Sequence, residues 1–271
     1  MAAIFELEQV SYCYPEGQQA LAEVSFSVAV GESVALLGAN ASGKSTLLQI
    51  MDALIFPAAG RVRAFGEALD QKRAETPAFA ARFRRKVGLV FQQAEAQLFS
   101  PTVRDEIAFG PLQLGLAQEE VLQRVEKMLA LSGLTGLAER PPYSLSGGEK
   151  KKVALASVLA IEPEVLLLDE PTGDLDPRSQ TWLIELLESL HAAGKTLVTA
   201  THDLSIVEEI ADRVIVLGED HRLHAQGTSE EVLGNTELLL KVNLIHEHAH
   251  EHGAMRHRHP HGHGFSHRHG G

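Results

Sequence analysis

The sequence predicts an α/β fold built on a mostly parallel sheet, with an antiparallel β unit at its start and a helical insertion late in it. Five short apolar runs carry the first part: VALLG (34–38), VGLVF (87–91), VLLLD (165–169), TLVTAT (196–201) and VIVLG (214–218). Strands covered on both faces read as continuous apolar runs, and the stretches between these have helical spacing. The antiparallel unit is predicted from IFELEQV (4–10) and VSFSVAV (24–30), which alternate apolar with polar residues on either side of the turn-like Pro15-Glu16-Gly17. Between Thr102 and Ile161 no such strand occurs, and Val121, Leu122, Val125, Met128 and Leu129 recur at three- and four-residue spacing, as one face of a helix does.

A chain of 271 residues can bury a substantial core without cross-links. Its single cysteine, Cys13, has no second thiol to pair with and reads as a bystander. The formal charge of −12 argues against nucleic-acid binding, which needs clustered Lys and Arg, and the basic run Arg82 to Lys86 reads as a solvated helix face. No apolar run approaches the roughly 20 residues that span a bilayer. The start, MAAIFELEQV, lacks a basic segment followed by a long apolar one. A cytoplasmic chain is therefore expected, with any membrane role supplied by a partner. After Leu244 the composition changes to HEHAHEHGAMRHRHPHGHGFSHRHGG, too poor in apolar residues to pack and expected to be disordered without a ligand. The predicted division is 1–244 for the folded domain, with its helical part near 102–161, and 245–271 for the histidine-rich tail.

The residues Gly38, Ala39, Asn40, Ala41, Ser42, Gly43, Lys44, Ser45 and Thr46 fit G-x-x-x-x-G-K-[ST] between a predicted strand and a predicted helix. Glycines let such a loop wrap phosphates, backbone N–H groups and the helix N-terminus face the anion, and Lys44 adds a point charge. Ser45 is placed to ligate Mg²⁺. The other half of a magnesium site should be a carboxylate at the end of a buried strand, and VLLLDE (165–170) supplies Asp169, holding the ion through water. Glu170 follows it, with the spacing from the metal needed to orient an attacking water and accept its proton.

With LSGGE (145–149) ahead of that strand and opening an apolar-periodic helix, the chain resembles the ATP-binding cassette (ABC) family over about residues 1–235. The resemblance implies the P-loop NTPase fold of an ABC nucleotide-binding domain, with ATP and Mg²⁺ bound. It implies that Ser146, Gly147 and Gly148 reach the γ-phosphate held by a second copy, so that two cassettes, identical or not, pair head to tail. Physically, a serine followed by glycines at a helix N-terminus makes a second anion cradle. The resemblance further implies that Tyr14 stacks on adenine and that Gln92 touches Mg²⁺ and reports on the membrane partner. It likewise implies that Asp176 links the two sites and that His202 contacts the γ-phosphate as part of the catalytic set with Glu170. Two positions depart from the pattern: Glu149 stands where glutamine is commoner, and Gly173-Asp174 replace small residues. No physical account of Asp174 follows from the sequence.

The stretches VFQQAEAQLFSPTVRDEIAFGPLQLGL (90–116) and LSGGEKKKVALA (145–156) are similar to ATPases of energy-coupling-factor importers, particularly those for cobalt and nickel. That similarity implies a peripheral subunit on the cytoplasmic face, working with a membrane coupling subunit and a membrane substrate-binding subunit. A vitamin importer remains an alternative, since substrate is chosen elsewhere. The tail carries His246, His248, His250, His252, His257, His259, His261, His263, His267 and His269. Neutral imidazoles in H-x-H steps suit Ni²⁺ or Co²⁺, whereas the plain reading is an inert polar extension. A metal storage or delivery protein would not explain LSGGE, Gln92 or His202. A soluble ATPase acting on DNA or ribosomes is opposed by the acidic charge.

Overall fold

The computed structural model describes residues 2–173, 175–252 and 255–262, with side chains described to residue 245. β1 (Ala3–Cys13) and β2 (Gln19–Ala29) form the antiparallel pair that the alternation predicts, with Phe5 opposite Val28, Leu7 opposite Phe26 and Val10 opposite Val24. All six of these side chains are buried. A one-residue slip would turn every one of them to solvent, so the core face sets the register. β3 (Ser33–Leu37), buried at each position, runs into a loop and then α1 (Lys44–Met51). β4 (Ala59–Ala64) and the short β5 (Glu67–Ala68) complete a sheet ordered β2-β1-β4-β5.

Two helices, α2 (Gln71–Ala74) and α3 (Pro77–Lys86), lead to β6 (Val87–Val90). The basic run at the end of α3 is engaged on the surface: Arg82 pairs with Glu67 and Lys86 with Glu164, Arg85 donates to the Leu114 carbonyl, and Lys86 lies over the Phe65 ring. The helical segment then comprises α4 (Val103–Gln113), α5 (Gln118–Leu131) and α6 (Gly147–Leu159). Val121, Val125, Met128 and Leu129 form the buried stripe of α5. Leu122 does not belong to it, being 50% exposed, because one residue along a helix turns the side chain by about 100° away from Val121.

The chain returns to the sheet with β7 (Val165–Asp169), α7 (Pro177–Ala192), β8 (Thr196–Thr201), α8 (Leu204–Ile210), β9 (Arg213–Leu217) and β10 (Leu223–Thr228). The strand order is β10-β9-β3-β8-β7-β6, parallel throughout except for β10 against β9. The five apolar runs of the sequence are the five parallel strands. β10, LHAQGT, is half-exposed and escapes the pattern because an antiparallel edge strand need not be apolar.

Two short helices, α9 (Ser229–Leu233) and α10 (Thr236–Lys241), bring Val232, Leu239, Val242, Leu244 and Ile245 against Leu37, Val214 and Val216. Beyond them, β11 (Ile245–His252) and β12 (Met255–Gly262) form a separate two-stranded antiparallel ladder that sets His246 opposite His261, His248 opposite His259 and His250 opposite His257. Two strands without a third or a covered face are at best marginal in water. The tail's side chains, and Asp174, lie outside the described residues.

Asp52 caps the C-terminus of α1 beside Phe79, Phe83 and Arg84. Burial pushes its carboxyl up to about 7, against the pull of Arg84. A carboxyl with a raised folded-state pKa is held more tightly as the acid in the fold, so its contribution is full below about 4 and is lost as pH rises through about 7. Asp52→Asn should therefore raise the urea midpoint at pH 8 and leave it unchanged at pH 4. Equal shifts at both would locate the effect in packing.

Candidate functional site

The loop after β3 folds back on itself because two residues take left-handed backbone, Ala41 at φ 64° and Gly43 at φ 106°. At Gly43 a Cβ would lie 2.2 Å from the Ala20 carbonyl oxygen, and at Gly38 one would lie 2.5 Å from Ser42 Oγ. Both positions need glycine for space, and Gly43 also for conformation. The turn delivers Lys44, 5% exposed, so that its Nζ donates to the carbonyls of Gly38 (2.7 Å) and Ala39 (3.1 Å) and lies 3.4 Å from Glu170 Oε1. Burial lowers the Lys44 pKa, and Glu170 opposes that shift.

Glu170 stands just past β7 with φ 42°, its N–H donating to the Ala200 carbonyl of β8. This sparsely populated conformation turns the carboxylate toward Lys44 and toward His202 Nδ1, 2.9 Å away at the end of β8. Asp169, one residue earlier, is buried, and burial raises its pKa while a hydrogen bond with Ser45 pulls it down. Its Oδ1 and the Ser42 hydroxyl are buried with no hydrogen-bond partner among the described residues. Buried orphan oxygens are costly, and the Asp169 carboxylate, hydrogen-bonded to the Ser45 hydroxyl and with Oδ1 unpartnered, is an oxygen set that fits Mg²⁺.

A cavity of about 350 Å³ opens over this cluster, lined by Tyr14, residues 18–20, residues 40–46, Gln92 and Glu170. Tyr14 donates or accepts one hydrogen bond with Thr46 Oγ1 (2.9 Å). Of the residues singled out in the sequence, the fold therefore gathers Tyr14, the loop, Gln92, Asp169, Glu170 and His202. Gln18 and Gln19 also line the cavity. They had no signal in the sequence, because they come from the turn and the start of β2 in the antiparallel unit and meet the loop only through packing.

Ser146, Gly147, Gly148 and Asp176 do not line this cavity. Ser146 is the N-cap of α6 and forms a capping box with Glu149: its N–H and hydroxyl each donate to Glu149 Oε2 at 2.8 Å. Those bonds lower the Glu149 pKa, which gives the departure from glutamine a role, since an anion at the third helical position accepts both and favours the helix N-terminus. Among the described residues, nothing beyond its chain neighbours and its own helix lies within 4 Å of where a Cβ would stand on Gly147, which leaves this turn open. Asp176 caps α7, accepting from the N–H groups of Arg178 and Ser179 and from the Ser179 hydroxyl (2.7 Å), which lowers its pKa. A Cβ on Gly148 would stand 3.8 Å from Asp176 Oδ2, so this corner and the α6 start form one surface.

The ABC transporter family profile matches residues 21–173. The chain is 50% identical to the nickel import ATP-binding protein NikO of Rhodobacter capsulatus, across 90% of this chain and 97% of that one. It is 43% identical to the energy-coupling factor transporter ATP-binding protein EcfA of Methanothermobacter thermautotrophicus, across 89% of this chain and 76% of that one. Among solved structures it resembles the dimeric ATP-binding cassette MJ0796 in a post-hydrolysis state bound to ADP and Pi, with TM-score 0.76, 29% identity, and coverage of 83% and 98%.

Proposed function

The chain belongs to the ABC transporter family and is an ATPase coupled to transport, and from that premise we propose that it energises an energy-coupling-factor importer for nickel or cobalt. The observation that carries the chemistry is the convergence of Lys44, Glu170 and His202 beside the orphan oxygen of Asp169 at the floor of the phosphate cavity. The share of identity with a nickel import ATP-binding protein supports the metal. A vitamin importer is the competing substrate reading.

In this reading the residues 38–46 hold the phosphates, Lys44 exchanges its carbonyl partners for β- and γ-phosphate oxygens, and Tyr14 stacks on the adenine. Ser45, Asp169 and Gln92 hold Mg²⁺, which when bound neutralises charge on the phosphate oxygens. Glu170, released from Lys44 as that lysine turns to phosphate, orients the attacking water and takes its proton. His202 holds Oε1 of the Glu170 carboxylate, the same oxygen that faces Lys44, and reaches the γ-phosphate. Ser146, Gly147 and Gly148 lie off the chain's own cavity on an open helix N-terminus, so they serve the nucleotide of a second copy, with Asp176 at the seam. The dimeric cassette among similar structures supports that pairing. Gln92, beyond β6, carries closure toward a membrane coupling subunit. Among the described residues no helix is long and apolar enough to cross a membrane, which fits a peripheral subunit on the cytoplasmic face.

The Glu170→Gln protein should bind ATP and accumulate as a dimer while turnover falls at least ~100-fold, as for loss of a general base. Normal hydrolysis would assign the water to another residue. Uptake of labelled Ni²⁺ and Co²⁺ by cells with and without this chain tests the substrate, and loss of neither would remove the metal assignment.

The histidine-rich tail, in the same proposal, binds imported transition metal reversibly and takes no part in ATP chemistry. Ten imidazoles alternate with other residues from His246 to His269. Binding needs neutral rings, so it should weaken as pH falls from about 7 to 5.5, through the ordinary imidazole range. Ile245 packs in the core at 8% exposure, so a chain ending there keeps its fold. Titration of Ni²⁺ into the full chain and into one ending at Ile245 should show several sites only in the former, with equal ATPase rates. Equal metal stoichiometry would end the buffering role.

A further inference from the structure

Lys151 lies one turn inside α6 and is 7% exposed, although it belongs to the run Lys150 to Lys152 at the start of a helix. It occupies the same stripe as Leu155, Val158 and Leu159, all buried. Its ammonium donates to the carbonyls of Gln92 (2.7 Å), Glu170 (3.3 Å) and Phe91 (3.4 Å). One side chain of the signature helix thus holds the backbone at the ends of two adjacent parallel strands, β6 and β7. Those strand ends carry the glutamine and the glutamate of the nucleotide cavity.

The Glu170 backbone is held from several sides. Its N–H donates to Ala200, its carbonyl accepts from Gly173 (3.2 Å) as well as from Lys151, and its φ of 42° is a conformation that a free glutamate would leave. The Lys151 charge also reaches Asp169, pulling its carboxyl down against burial. A buried ammonium cannot drift from its carbonyls without a large desolvation cost, so this junction is stiff.

We propose that Lys151 is a positioning residue for ATP hydrolysis: it makes the start of the signature helix, the Gln92 segment and the backbone of Glu170 one rigid unit. A shift of Ser146 to Gly148 on meeting the partner's nucleotide is passed through it to the carboxylate that holds the water of the chain's own site. In this role Lys151 acts through the backbone of Glu170 and Gln92, and its effect is on their placement. This rests on the hydrolytic role of Glu170 proposed above.

The test is ATPase kinetics of the full chain for Lys151→Met, Lys151→Arg and Glu170→Gln, with kcat expressed per nucleotide-binding protein and urea unfolding recorded alongside. Misplacement of a catalytic group by an ångström costs up to about 100-fold, so Lys151→Met should lose at least ~10-fold in kcat while KM for ATP stays within about twofold. Lys151→Arg, which keeps a charged donor, should recover the larger part. Wild-type kcat in Lys151→Met, with Glu170→Gln inactive, overturns the inference and leaves the hydrolytic reading standing. Full activity in Glu170→Gln overturns that reading instead. Equal losses in kcat and in affinity, or no recovery with Arg, would make Lys151 merely structural. If Lys151→Met does not fold, Lys151→Gln is judged by the same kcat and KM criteria. Failure of both to fold also overturns a positioning role.

Discussion

An ammonium that is 5% exposed, at the carboxyl edge of a sheet whose central strands are wholly buried, would be prohibitively costly if left unpaired. Lys44 is tolerated there because two carbonyls of its own loop and the Glu170 carboxylate converge on it. That convergence requires the left-handed turn at Gly43 and the neighbouring placement of β3, β8 and β7. It also requires a glutamate turned out of line at φ 42°. Much of the architecture answers to this one desolvated charge.

The two faces of the sheet divide the labour by the two-residue period of a strand. Val165 and Leu167 of β7 face the core that holds α1 and the antiparallel sheet, while Leu166 and Leu168 face the core of the helical segment. Asp169 continues the first of these series, and so meets Ser45 on α1. Each fully buried Leu or Val contributes about 1.5–3 kcal/mol, so the register that aligns Asp169 is backed by many such contacts. The helical segment packs on the opposite face, and its α6 reaches the strand ends through Lys151. The result is a cavity over residues 40–46 on one side of the edge and an open helix N-terminus on the other, joined by a buried polar link.

Glycine spacing, strand-end acids and signature residues are local patterns, and local patterns are legible in a linear chain. Residues 38–46, Asp169, Glu170 and the α6 N-terminus were readable because each depends on neighbours a few positions away. Glu149 was legible as a departure, but its reason lies in the capping box, which needs the helix start to be seen. Leu122 was misread because the spacing of apolar residues alone does not say which edge of a stripe meets the core. Gln18 and Gln19 carry no pattern, since a polar pair after a turn says nothing about what it will face.

By itself, the sequence determined the five parallel strands, the antiparallel pair, the helical segment and the strand–loop–helix turn at 38–46, because hydrophobic periodicity and glycine placement act over a few residues. Only the tertiary structure decided the strand order β10-β9-β3-β8-β7-β6, the pairing of Glu170 with both Lys44 and His202, and the burial of one lysine among three. These depend on contacts between segments far apart in the chain, where the desolvation of a charge is settled by what happens to pack around it.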